Sequence, residues 1–167
     1  MATTAEFNMV YLLLHSYLHV FNEGVGLRQE MEYYFVLCMV HKFSASRANK
    51  FERKSSKVQD VLDDLGLSKF AAAMMWVMGY VFGLEKERMI AEPSEKDGRL
   101  LLAEIMDGGN FGKGHAMTSG QQRNGTARVM HNLWHNIKLW RFGYTEVLCT
   151  LFWRLWHYFW MKKRGFR

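Results

Sequence analysis

A single proline, Pro93, stands in the whole 167-residue sequence. Proline removes a backbone donor and breaks helix interiors, so a chain almost without it can build long uninterrupted helices. Its near absence also argues against Pro-rich linkers and many-turned all-β architectures. Apolar periodicity points the same way. Thr3 and Glu6 have the S/T-x-x-E spacing of a capping box, which predicts a helix starting near Ala5. Phe7, Tyr11, Leu14, Leu18 and Phe21 then recur at steps of four and three and draw one apolar stripe, ended by Asn22 to Gly26. A second helix, about Leu27 to Phe43, is apolar on most sides and is expected to lie centrally.

Ser44 to Lys57 reads as a polar, basic connection or a short exposed helix. Ser56 can cap a short helix stopped by Gly66, and Ser68 can cap the next, ending near Gly83. Ser94 and Asp97 suit the start of a helix reaching about Met106. Residues 107–125 hold six glycines and no apolar period, as a mobile loop would. Two aromatic, basic helices follow over 126–164, divided at about Phe142 and Thr145. No strand-like alternation and no internal repeat are present. The expected fold is all-α: one domain over 1–167, a compact bundle of about six or seven helices without a sheet.

The net charge of +6 is unevenly placed. Residues 123–167 carry nine Lys or Arg against one acid, Glu146, a net +8, while residues 1–122 carry a net −2. Such asymmetry suits an anionic partner for Arg128, Arg141, Arg154, Lys162, Lys163 and Arg164, or simply a solvated helix face. Trp134, Trp140, Trp153, Trp156 and Trp160 stand among these bases, a mixture found in membrane interfaces, in single-stranded nucleic-acid binders and in packed helices. The longest uncharged runs have sixteen and fifteen residues, short of the ~20 that a spanning helix needs. Cys38 and Cys149 both sit in apolar runs, which argues against a disulfide framework and fits a reducing compartment. Without a recognisable signal peptide, a cytoplasmic location is expected.

Histidines stand four apart at His15/His19 and at His131/His135, a spacing that can share a metal on a helix. Neither pair has the H-E-x-x-H glutamate or a third ligand at a set spacing, and no metal site is assigned. Gly24-Val-Gly-Leu-Arg-Gln29 opens the second helix. Free N–H groups at a helix start beside a guanidinium form an anion site, and the simpler alternative is an Arg28–Glu32 pair bracing a helical hairpin. Gly108-Gly-Asn-Phe-Gly112 could let backbone, amide and ring approach a ligand, or could be a helix cap and apolar plug.

His15-Ser-Tyr-Leu-His19, Asn22-Glu-Gly-Val-Gly-Leu-Arg-Gln29, Trp76-Val-Met-Gly79 with Phe82-Gly-Leu84, Gly108-Gly-Asn-Phe-Gly112 and Arg154-Leu-Trp-His157 occur in this order. Together they resemble the carboxy-terminal half of the bacterial family termed "uncharacterised nucleotidyltransferase", often associated with surface-polysaccharide gene clusters. The resemblance spans nearly the whole chain. It implies an accessory or substrate-binding helical domain that partners an upstream nucleotidyltransferase fold, where a Gly-Ser pair, a D-x-D/E pair, Mg²⁺ and a nucleoside triphosphate belong.

This sequence has no Gly-Ser dipeptide, and its carboxylates two apart (Glu30/Glu32, Glu85/Glu87, Glu95/Asp97) fall where helices or helix starts are expected. On a helix such neighbours are rotated by about 200° and cannot share one Mg²⁺ as strand neighbours can. The chain is therefore expected to be non-catalytic by itself, either an excised domain or the product of a truncated reading frame, with no cofactor of its own. Its ligand, a nucleotide or sugar phosphate, is expected in a cleft formed by His19, Gly24, Gly26, Arg28, Gln29, Glu32, Gly109, Asn110 and Phe111. The chain also departs from the family. Glu32 replaces an aspartate, Glu30 an apolar residue, Lys113-Gly-His115 an aromatic-acidic continuation, and Tyr144-Thr-Glu146 a Pro-Ser-Glu start. A peripheral membrane module and a nucleic-acid binder are the rival readings, ranked below the first in that order.

Overall fold

A computed structural model describes residues 4–22, 24–44, 48–108 and 137–164. It is all-α. The described residues form α1 (Ala5–Asn22), α2 (Leu27–Ser44), α3 (Ala48–Asp64), α4 (Ser68–Phe82), a 3-10 turn (Lys86–Arg88), α5 (Glu95–Gly108) and α6 (Tyr144–Lys163), with no strand among them. The chain divides into two compact units, Met1–Gly120 and Gln121–Arg167.

In the first unit, α1 starts where the capping signal places it, but the cap is Thr4 rather than Thr3. The Phe7 N–H donates to Thr4 Oγ1 at 3.2 Å, the bond that an N-cap hydroxyl makes to the third helical residue. The buried stripe also differs from the expected one. Met9, Leu13, Ser16, Tyr17 and Val20 face the core, whereas Phe7 is 55% exposed, and Tyr11 and Leu18 are exposed with it. Both stripes advance by threes and fours along a helix that is apolar nearly all round, so periodicity could not choose between them.

Helix α2 packs against α1, α3, α4 and the 3-10 turn, as a central helix should. One of its faces is nonetheless open, with Phe35 54% and Met39 56% exposed beside Met31. The stretch expected to be a connection or short helix is most of α3, which runs from residue 48. Its lack of apolar period over 48–57 hid a continuous helix, and among its described side chains Val58 and Leu62 lie in the core.

Helix α4 is the centre of the unit, burying Phe70, Ala71, Ala73, Met74, Met75, Val77 and Met78. Ser68 does not cap it. Ser68 is its first residue and donates its hydroxyl to Asp63, while Leu67 takes the cap position without a side-chain bond. At Pro93-Ser94 the chain turns back along α4, pinned by the Ser94 N–H donating to the Ala72 carbonyl at 3.0 Å. Ser94 Oγ donates to Asp97 Oδ2 at 3.1 Å, and α5 follows as expected. The two helices approach closely at Gly98, where a Cβ would lie 2.5 Å from Trp76 Cε3. Only glycine fits there.

In the second unit, residues 137–142 form a helical end and turn, and α6 follows. Leu139, Phe142 and Val147 are buried. Residues 109–136, which hold most of the expected glycine-rich loop and of the first aromatic helix, lie outside the described residues. No helix among the described residues is long and apolar enough to cross a membrane.

Candidate functional site

The turn between α1 and α2 brings together most of the residues singled out in the sequence. The Gly24 N–H donates to the His19 carbonyl at 2.7 Å, with Gly24 at φ 84°, where a Cβ would be strained. Val25 plugs the turn into the core. Gly26 then caps α2 reciprocally. Its N–H donates to Gln29 Oε1 at 3.1 Å, while the Gln29 N–H donates to the Gly26 carbonyl at 3.0 Å. This is the capping-box pattern with glycine in the first position. Gln29, expected to contact a ligand, therefore holds the helix start.

Arg28 and Glu32 both stand on the exposed face of α2. They are one turn apart, yet no ion pair joins them among the described residues. The brace that would explain Arg28 structurally is not formed. His19 is half-buried and turned toward its own helix, its Nε2 3.1 Å from His15 Nε2 and the rings edge-to-face at 4.3 Å. The described residues hold no cluster of three His, Cys, Asp or Glu. Gly109, Asn110, Phe111, His131 and His135 lie outside them.

The most unusual residue of the turn is Glu30, which the sequence marked as a departure from the family pattern but did not place in the core. Glu30 is 0% exposed, and neither carboxyl oxygen has a hydrogen-bond partner. Burial pushes its pKa from 4.5 to about 7. Ser16, facing it from α1, lowers the value in part without completing a hydrogen bond. Tyr33 is beside it, fully buried, its hydroxyl unpartnered and its pKa driven well up by burial first and by the Glu30 charge second. The signal in the sequence was an acid within a helix that is apolar on most sides. Burial removes Glu30 from any substrate, and it separates Glu30 from exposed Glu32, so this carboxylate pair cannot share Mg²⁺. Glu95 is likewise bound to Arg99 at 2.7 Å and Asp97 to Ser94. Neither the Glu30/Glu32 pair nor the Glu95/Asp97 pair fits a catalytic magnesium site.

The second candidate surface is α6. Phe152 is 75% and Phe159 63% exposed, and Leu148, Trp153, Leu155 and Trp156 are exposed as well. Trp153 and Trp156 lie 5.1 Å apart, and the Arg164 guanidinium sits 4.3 Å over the Trp160 ring. Lys162, Lys163 and Arg164 stand together, exposed, at the C-terminal end, where they complement the helix dipole. Arg141 is exposed but already partnered; Arg128 and the Arg154 side chain lie outside the described residues.

No family model matches this chain, and neither does any curated protein or solved structure.

Proposed function

We propose that the chain is an accessory helical domain of a nucleotidyltransferase-like protein, contacting a phosphate-bearing ligand through the start of α2. The observation that carries this reading is the exposed Arg28. It lies in the first helical turn, has no ion-pair partner among the described residues, and adds its charge to the positive end of the helix. Gly26 and Gln29 hold that turn in place. The ordered motifs from His15 to His157 supply the family context, in which the transfer chemistry, Mg²⁺ and nucleoside triphosphate belong to an upstream domain. The polysaccharide setting and the cytoplasmic location rest on the same resemblance.

Calorimetric titration with a nucleoside triphosphate and with a sugar 1-phosphate tests the reading. Arg28→Ala should weaken binding about tenfold, the loss of one charge-assisted contact. Its melting temperature should not change, because no intramolecular pair is lost. Unchanged affinity, or binding to neither ligand by the parent chain, would end the reading.

A peripheral, anionic-surface function is the second reading, favoured by the exposed aromatic face of α6 with three cations at its end. Vesicles containing phosphatidylglycerol should sediment the chain and release it in salt, while neutral vesicles should not. Phe152→Asp with Phe159→Asp should abolish the effect. Retention by neutral and anionic vesicles alike would refute it.

A further inference from the structure

A groove of about 300 Å³ runs along the outer side of α2 where the 3-10 turn packs against it, lined by Phe35, Cys38, Met39, His41, Lys42 and Arg88. Its size is at the lower end of volumes that hold small molecules. We propose that this groove binds a small amphipathic carboxylate, its head between Lys42 and Arg88 and its short aliphatic tail over Phe35 and Met39. The site is independent of the function proposed above.

Three observations point to that ligand chemistry. The wall is mainly apolar, and Phe35 and Met39 stay more than half exposed although they belong to a well-packed helix. An aliphatic tail would remove that surface from water. Next, Arg88 is held in place: one terminal nitrogen donates to Cys38 Sγ at 3.5 Å, and the other pairs with Glu85 at 3.0 Å. A fixed guanidinium loses little freedom on binding.

Finally, Lys42 is exposed at the rim with no acidic partner among the described residues. Glu85 offsets one positive charge, so Arg88 and Lys42 together leave the groove cationic. An anion is favoured there, and an amine of the same tail length is repelled. A nucleotide would set its polar sugar against carbon and fits the lining poorly.

The two cysteines provide the test. Cys38 lines the groove, whereas Cys149 is exposed on α6 and serves as an internal control. The full chain is alkylated with iodoacetamide in octanoate, octylammonium or octanol, and the rate at each cysteine is read by peptide mass spectrometry. Octanoate should slow Cys38 at least about fivefold, saturably, with Cys149 unchanged, while the amine and the alcohol do much less. Lys42→Gln should raise the octanoate concentration for half-protection several-fold at an unaltered melting temperature. The Met39 methyl resonance, assigned with Met39→Leu, should shift over the same octanoate range whatever the thiol's reactivity. No shift at Met39, equal protection by octylammonium, or parallel slowing of Cys38 and Cys149 would each overturn the proposal.

Discussion

Glu30 couples the stability of the first unit to pH. In the folded chain its pKa is about 7 because burial penalises the carboxylate; unfolded, it returns to about 4.5. The folded state therefore binds the proton more tightly. Stability is greatest below 4.5, falls as pH rises and the unfolded chain alone ionises, and levels off above 7. The whole change amounts to about 3 kcal/mol. Glu30→Gln removes the ionisation and keeps the shape. Its melting temperature should match the parent near pH 4.5, exceed it at pH 8, and vary little between. A parent chain equally stable at both pH values would show that Glu30 is hydrated rather than buried. The same residue explains why the start of α2 has two unlike faces, with Arg28 and Glu32 in water and Glu30 and Tyr33 in the core. Both faces share one turn, and a substitution intended to probe ligand contact must avoid the inner one.

Helix α1 tests the rule that periodicity identifies a core. Two apolar stripes compete on it, and the structure buries the one through Met9, Leu13 and Val20. Leu13→Ala should cost about 2 to 5 kcal/mol through lost transfer energy and a residual cavity. Tyr11→Ser on the exposed stripe should stay within about 0.5 kcal/mol. Chemical denaturation of the two variants measures both, and equal losses would mean that both faces of α1 are covered in solution. Helix α6 carries the same ambiguity further, since its exposed side is the aromatic one. Helix α3 shows the reverse case. Its first ten residues lack any apolar period, and the helix there continues without one.

At the level of the whole molecule, helix should dominate throughout. A far-ultraviolet circular dichroism spectrum should show paired minima near 208 and 222 nm with no strand component, a general signature of α-helix; a substantial strand contribution would contradict the all-α fold. That class was legible because it rests on local chemistry. One proline in 167 residues, capping side chains and glycines at helix ends act over a few residues and need no tertiary partner. The bounds of α1, α2, α4 and α5 followed from such signals to within a few residues. At the candidate site, the sequence identified the turn from Gly24 to Gln29 and the arginine beside it. It could not assign Gln29 to the cap, because the alternatives differ only in where one amide points. It could not foresee that Arg28 and Glu32, at pairing distance along the chain, would form no pair. Nor could it tell which of two equal stripes on α1 meets the core, or that Glu30 lies inside while Glu32 lies outside. Those outcomes depend on the rotation of each helix about its axis. That rotation is set by packing against α3, α4 and α5, contacts between residues far apart in the chain, and no local pattern encodes them.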